Sequence, residues 1–442
     1  MTPDKAAEQL QRVLHVSPAD GTLAALTPYR SALTRFANNT IHQNVSERNT
    51  LLMVRVDLDA RRGLATTSQL SDDAVRSVVN RAVELAKRAP ALADRPPLPG
   101  PQQYRLFNRW DEATAQVSPA ERGELVARAI RQVERAGLTA AGYLTTASSL
   151  TALANSKGLV SSMPSTFAEF AITVMAPGSS GWAKAKAPAL SELAIDQLTE
   201  QAIRTAERGR EPHELPAGNY PVILSPAAVA DLLSFLAGDF GGLAVMEQES
   251  CLTGQLGRRL FGSNITLFDD VGHPLQMGDP FDGEGVARQT LSLIDGGVVR
   301  SFVYGLSSAK RAGVPPTGHG SAAEPDDYPQ NLVLQGGTAS IEEMIASTDR
   351  GLVITRCWYI REVDPTQKIV TGMTRDGTFW IEGGKIAHGV KNLRFNQGLI
   401  AMLNEVELMG PAVRAAGEEH ESCIVAPAMK IRNFRFTGTT PD

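Results

Sequence analysis

Apolar positions in the first half of the chain switch between two periods, and the switches mark alternating helices and sheets. From Pro3 to Val16, the residues Ala6, Ala7, Leu10, Val13 and Leu14 fall on one side of a helical repeat, which predicts an amphipathic helix. Between Leu23 and Ser68 the period drops to that of strands. A meander of short antiparallel strands is expected there, turning at Asn38-Asn39 and around Asp59 to Gly63. Ser71 is placed to cap a helix through Ala89, with Asp72 and Asp73 in the first turn, where the helix dipole favours negative charge, and Pro90 as its stop. Its apolar face of Val75, Val78, Val79, Ala82, Val83, Leu85 and Ala86 should cover the sheet.

The proline-rich stretch ALADRPPLPGPQ reads as a semi-rigid extended connector and surface strap. Ser118-Pro119-Ala120-Glu121 has capping-box spacing and opens a helix to about Gly137. Strand-rich sequence follows to about Lys186, then a helix from about Ser191 to Arg208 with Leu193, Ile195, Leu198, Ala202, Ile203 and Ala206 as its apolar set. This helix-and-sheet order echoes the first unit without a detectable sequence repeat. The polar joint GREPHELPAGN carries the main domain boundary.

Beyond the joint, Tyr220 to Leu224 is a short strand feeding PAAVADLLSFLAGDFGG, the stretch around which the chain is organised. Ser225 can cap this helix and Pro226 suits its first turn. Ala227, Val229, Ala230, Leu232, Leu233 and Leu236 make it apolar, and Gly238, Gly241 and Gly242 end it. The remainder is mostly strand. Asp295-Gly296-Gly297, Asp376-Gly377 and Gly383-Gly384 read as hairpin turns, Ser340-x-x-Glu343 caps a short helix, Gln397 to Leu408 forms another helix, and Ile424 to Phe436 is a closing strand. Pro315 to Pro329 lacks an apolar period and is expected to be a mobile or substrate-side loop. The expected class is α+β: N-terminal antiparallel sheets with covering helices over residues 1–212, divisible into subregions 1–95 and 102–212, and a mostly β C-terminal domain over 213–442 around a central buried helix.

Composition narrows the chemistry. With 43% hydrophobic and 21% charged residues and a net charge of −5, the 442-residue chain has no electrostatic footprint for nucleic acid. Three widely spaced cysteines, Cys251, Cys357 and Cys423, suit a reducing cytoplasm, and no apolar run is long enough for a membrane span. No nucleophile elbow, Walker loop or dinucleotide fingerprint is present. Asp269, Asp270 and His273 read as turn caps, Asp279, Asp282 and Glu284 lack the pattern of a calcium loop, and His319, between Gly318 and Gly320, reads as a solvated loop tip.

Several stretches together resemble the TldD/PmbA family of heterodimeric peptidases: the central helix with its glycine turn, GNYPVILSP, GDPFDGEG, TGMTRDGTFWIEGGKIAHGVKNLRF, APAMKIRNFRFTG and the early Thr34-Arg35-Phe36-Ala37-Asn38-Asn39. The resemblance implies that catalytic members carry His-Glu-x-x-x-His on this helix, two imidazoles holding zinc and a carboxylate acting as general base. Here the matching positions are Leu236, Ala237 and Gly241, and no histidine lies between His213 and His273. The expectation is therefore a TldE/PmbA-like subunit with no catalytic residues or cofactor of its own.

On that resemblance, zinc belongs to the expected partner, a TldD-like chain, with which this chain encloses a channel for unfolded peptide. No nucleic acid or membrane partner is expected. Tyr359, Arg361, Thr371 and Arg375 are the candidate channel-facing residues, being polar or large in otherwise apolar strands. Two other readings stay open: an autonomous metallopeptidase that rebuilt a site from His388, His420 and Cys423, and a peptide-binding homodimer without catalysis.

Overall fold

A computed structural model describes residues 1–92, 96–323, 326–420 and 422–439. Part of the connector read from ALADRPPLPGPQ, and Glu324 and Pro325 within the Pro315 to Pro329 loop, lie outside the described residues.

The N-terminal region is one six-stranded antiparallel sheet built from two like units. Helix α1 (Pro3–Val16) precedes strands β1 (Gly21–Ala37), β2 (Thr40–Leu58) and β3 (Arg61–Thr67), and α2 (Asp72–Arg88) follows them. After the short α3 (Glu112–Gln116), the order repeats: α4 (Pro119–Arg135), β4 (Thr139–Asn155), β5 (Val160–Ala176), β6 (Ser179–Ala187) and α5 (Ile195–Arg208). Strand order β3-β2-β1-β4-β5-β6 joins the units through their first strands. The predicted caps are in place, Ser71 accepting from the Ala74 amide and Ser118 forming a reciprocal capping box with Glu121.

A shared contact reveals the repeat that residue identities hide. Gly63 on β3 is pressed against Ala82 and Ala86 of α2, and Gly181 on β6 against Ala202 and Ala206 of α5. In both units a strand glycine and two helix alanines at a four-residue spacing let backbone meet backbone, and a Cβ on either glycine would strike an alanine carbonyl. The strands are longer than the sequence pattern suggested, 17 and 19 residues in β1 and β2, because their outer halves carry polar residues in unbroken pairing. Leu85, expected on the buried face of α2, is instead 44% exposed.

The C-terminal region wraps two sheets around one helix. Strand β7 (Gly218–Leu224) leads into α6 (Pro226–Ala237), a turn of 3-10 helix at Gly238–Phe240, and α7 (Gly242–Met246). One sheet contains β8 (Leu267–Asp269), β9 (Leu291–Asp295), β10 (Val298–Val299), β11 (Leu332–Leu334), β17 (Val413–Ala415) and β18 (Ile424–Ala426). The other contains β7, β12 (Arg350–Asp364), β13 (Ile369–Glu382), β14 (Lys385–Gly389), β15 (Leu393–Gly398), β16 (Val406–Met409) and β19 (Met429–Thr439), and it closes on itself because β12 also pairs with β13. The small helices α8 (Leu306–Ala312), α9 (Ile341–Ala346) and α10 (Leu399–Asn404) bridge these strands. Among the described residues, no helix is long and apolar enough to cross a membrane.

Four sequence expectations change here. Asp376-Gly377 is a bulge inside continuous β13, not a hairpin turn: the Thr355 hydroxyl on β12 lies within hydrogen-bonding reach of the Asp376 and Gly377 carbonyls, which fixes the irregularity in mid-strand. The helix expected over Gln397 to Leu408 shrinks to α10, because its flanks pair with β13 and β19. The closing strand is split at Pro427 into β18 and β19, which lie in different sheets. The described part of the Pro315 to Pro329 loop is anchored inward through buried Thr317, His319 and Asp327.

Replacing Gly181 with Ala is expected to lower unfolding free energy by about 3 kcal/mol, the upper part of the usual overpacking range, since rigid backbone opposes the added methyl. Urea titration measures it; a change below about 1 kcal/mol would show that α5 shifts freely on the sheet.

Candidate functional site

Helix α6 is apolar on nearly every side, the pattern of a helix enclosed by protein. The Ser225 hydroxyl accepts from the Ala228 amide, and Leu232, Leu233, Leu236, Ala237 and Phe240 all enter the main C-terminal core. At the positions matching the zinc motif, Leu236 and Ala237 are buried among aliphatic neighbours. Gly241 sits so close to the loop beyond it that a Cβ would lie 2.6 Å from the Asp327 carbonyl oxygen, and a Cβ on Gly242 would enter the Tyr304 ring. These residues do not fit a metal ion: their side chains supply no donor atoms, and Gly241 leaves no space for an imidazole.

The polar chemistry of α6 lies elsewhere on it. Asp231 is fully buried, and its Oδ1 accepts from the backbone amides of Glu418 and Glu419 at 2.9 Å each. Burial pushes this carboxyl up to about 7 despite those two amides. His420 Nε2 is 3.8 Å from the same oxygen; neither that nitrogen nor Asp231 Oδ2 has a hydrogen-bond partner. Burial likewise lowers the imidazole, so the charged forms of both partners are disfavoured here.

Beside this pair lies a cavity of about 420 Å³, walled on one side by the N-terminal sheet and on the other by residues 414–423. Lys184 crosses it, donating to the Gly417 carbonyl at 2.9 Å and approaching Glu169 and Glu418 at 3.7 and 3.5 Å. The Tyr143 hydroxyl donates to Glu169 at 2.6 Å. His420 and Cys423 share this cavity. His388 does not join them, being stacked on His213 with ring centroids 4.0 Å apart. The Cys423 thiol donates to the Leu275 carbonyl and is pushed up by burial, the character of an inert sulfur. Among the described residues, no group of three or more His, Cys, Asp or Glu is placed to hold a metal ion.

The candidate channel residues divide. Tyr359 sits at a bulge in β12 with positive φ of 54°, is 55% exposed, and lies under the Arg361 guanidinium at 4.3 Å. Arg361 reaches Glu419 at 3.5 Å, so these two adjoin the segment held by Asp231. Arg375 stacks on Trp358, while buried Arg356 lies between Trp182 and Trp358 and pairs with Asp376 at 3.2 Å. Thr371 donates its hydroxyl to the Phe395 carbonyl, inside the sheet.

The acidic stretch GDPFDGEG forms the joint between the domains. Asp282 accepts from the amides of Glu284, Val286 and Gly320, and Glu284 pairs with Arg55 of β2 at 3.3 Å while accepting the Leu306 amide at the start of α8. His319, read from sequence as a solvated loop tip, is buried, with Nε2 3.1 Å from Asp269 and Nδ1 3.0 Å from the Thr317 hydroxyl. Asp270 and His273 do cap their turn, receiving the Gly272 and Leu275 amides, whereas Asp269 belongs to the His319 cluster. A second cavity of about 780 Å³ opens here, lined by Asp279, Asp282, Arg288, His319 and Tyr328 against Ser149 and Thr151 of the sheet.

Sequence reading missed Asp231, Asp239 and Lys368. Asp239, in the 3-10 turn after α6, takes the Cys251 amide and meets the Lys368 ammonium at 2.5 Å, which also meets Glu362 at 2.6 Å. Burial works against that ammonium, yet the two carboxylates hold it above its usual value. The available signal was a lone aspartate inside an apolar helix, since such a group must find partners or lose its charge.

Comparison with known proteins places this architecture. PmbA/TldA metallopeptidase domain 1 matches residues 29–86, the central domain 112–210 and the C-terminal domain 217–438. The chain belongs to the PmbA/TldD metallopeptidase family. The metalloprotease PmbA of Escherichia coli O157:H7 is 25% identical over 391 residues, 84% of this chain and 83% of that protein. A metalloprotease TldD homologue of Buchnera aphidicola is 24% identical over 267 residues, 56% of this chain and 54% of its own length. The crystal structure of TldE from Thermococcus kodakarensis superposes with a TM-score of 0.88, covering 98% of this chain and 99% of that one at 21% identity, and shares the fold.

Because the folded Asp231 carboxyl titrates near 7, above its unfolded value near 4, folding favours its protonated form. The stability gained is present below pH 4 and is lost as pH rises toward 7. Three pH units at ~1.4 kcal/mol each set an upper bound of roughly 4 kcal/mol. Asp231→Asn, which keeps the carbonyl acceptor, should flatten urea-derived stability between pH 4 and 7; a slope unchanged from the parent would refute the assignment. Installing His, Glu and His at 236, 237 and 241 should destabilise the chain and bind no zinc by elemental analysis, whereas one equivalent of zinc in a stably folded variant would show the site is not closed.

Proposed function

We propose that this chain is the non-catalytic, TldE/PmbA-like subunit of a heterodimeric zinc metallopeptidase acting on unfolded peptides or peptide precursors. One observation carries the reading. Where the family resemblance places zinc ligands, α6 offers Leu236, Ala237 and a glycine packed on the Asp327 backbone. The fold is retained around a motif position that is filled rather than vacated, as expected of a scaffold relieved of the chemistry. The likeness to a solved TldE supports the same reading.

In this reading the partner contributes the zinc ion, its ligands and the general base. This chain completes the chamber and offers main-chain hydrogen bonds to an extended peptide, a mode of recognition that grips without sequence selectivity. The exposure of Tyr359 and Arg361 at the bulge in β12 supports such a role for them. The rebuilt metal site has less support, because His388 stands apart from His420 and Cys423.

Co-expression with a homologue bearing His-Glu-x-x-x-His should yield an equimolar complex that degrades casein and is silenced by a chelator, while this chain alone is inactive. Tyr359→Ala with Arg361→Ala should lower the complex's kcat/KM by about tenfold, with chain association unchanged. Chelator-sensitive proteolysis by the isolated chain would overturn the proposal.

A further inference from the structure

The cavity between the sheet and residues 414–423 is dipolar, and strand register gives the spacing of its two ends. In the pairing of β4, β5 and β6, Tyr143, Ala171 and Lys184 form one cross-strand row, and Thr145, Glu169 and Lys186 form the next. Phe167 comes two residues before Glu169 on β5, and Ser165 two before that. Residues in a row share a face, and alternate residues along a strand stand about 7 Å apart.

The first row holds the acidic end. The Glu169 carboxylate takes the Tyr143 hydroxyl, and with Glu418 from the opposite wall it converges on the Lys184 ammonium, at 3.7 and 3.5 Å. Both separations exceed the ~2.7–2.9 Å of a charge-assisted hydrogen bond, so neither carboxylate is fully engaged by that lysine. A further ammonium between them would complete the pairing.

The cationic end lies toward Phe167. Lys186 stands directly opposite Glu169, yet its ammonium turns over the Phe167 ring, 4.7 Å from the centroid. Arg109 enters beside Ser165, while Arg414 and Cys423 meet on the Leu275 carbonyl. Arg414 also meets Glu192, itself half exposed, at 3.2 Å. Burial raises the Cys423 thiol, whereas Arg414, Lys186 and Arg109 all pull it down; burial lowers the Arg109 guanidinium, and Arg414 lowers it further. Like charges thus crowd one partly buried corner, a repulsion that a bound anion relieves.

Between the ends the wall is apolar, with Phe167, Ala415 and Ala416. Its volume of about 420 Å³ lies within the ~300–1,000 Å³ typical of small-ligand sites. Measured along β5, Glu169 and the Lys184 row lie about 7 and 13 Å from Phe167. A free amino acid, with its two charges on one carbon, is too short for that span. An extended peptide gains ~3.3–3.6 Å per residue, so roughly two to four residues bring an ammonium to one end and a carboxylate to the other.

We infer that this cavity is a binding site for short peptides with both termini free, the α-ammonium set between Glu169 and Glu418 and the α-carboxylate meeting Arg414 and Lys186. In the assembly proposed above, such ligands are the products of cleavage. The site itself belongs to this chain alone and needs no partner.

Calorimetric titration of the full chain with the tripeptide Ala-Leu-Ala tests it. One site per chain is expected, with N-acetylation, C-amidation or replacement by free leucine each weakening binding by about tenfold or more. Arg414→Gln should weaken Ala-Leu-Ala by about tenfold while leaving the amidated peptide unchanged, and Glu169→Gln should weaken it similarly while leaving the acetylated peptide unchanged. Should either variant fail to fold, the comparison of capped and free peptides on the parent chain decides. No binding at ~10 mM tripeptide, equal affinity for capped peptides or leucine, or parent affinity in both folded variants would overturn the site. Any of these results beside chelator-sensitive proteolysis by the co-expressed complex leaves the functional proposal standing.

Discussion

A helix with no polar side dictates the C-terminal architecture. Because α6 buries Ala228 through Ala230, Leu232, Leu233, Leu236 and Ala237 at once, a single sheet packed on one face leaves the rest of it wet. The closed sheet through β12 and β7 meets it on one side, and β17 and β18 on another. With several leucine-sized side chains withdrawn from water, each contributing about 1.5–3 kcal/mol, the helix anchors the domain core. Its backbone has little latitude to move, so residues attached to it are held at fixed positions. Asp231 uses that rigidity to hold the 417–420 segment, which in turn roofs a cavity against the other domain.

The domain joint obeys a different rule. Arg55 and Glu284 face each other with side chains only 1% and 4% exposed, and withdrawing both charges from water costs several kcal/mol each before any attraction is counted. The cost is offset where the remaining lone pairs are used, and Glu284 also receives the Leu306 amide while Asp282 receives three more. Such a joint adds little net stability over an apolar one, but it tolerates only one relative placement of sheet and loop. That specificity keeps the two cavities between the domains in shape.

Local signals were legible in the sequence and nonlocal ones were not. Helix α1 is written in its apolar spacing, α2 in its cap, first-turn charges and apolar face, and α4 in its capping box, all confined to the segment itself. Asp376-Gly377 carries the usual sign of a hairpin, yet the strand continues because Thr355, far away in sequence, bonds the irregular backbone. His319 misleads for a related reason. Its flanking glycines suggest exposure, but Gly320 is small so that its backbone can approach Gly305 and Glu284, which draws the imidazole inward. The motif positions on α6 could be named from sequence, since loss of donors is visible there; the closure at Gly241 could not, because it depends on the Asp327 carbonyl. Asp231 was readable as an oddity, but its partners come from the other end of the chain.

The sheet order also has a consequence for synthesis. Strand β1 is complete at Ala37, but its second neighbour, β4, begins only at Thr139. At typical ribosomal speeds of ~5–20 residues per second, the intervening hundred or so residues take roughly 5–20 seconds to emerge. Throughout that interval a long edge of the nascent chain stands unpaired at the tunnel exit, making it the segment with most to gain from early shielding by a chaperone.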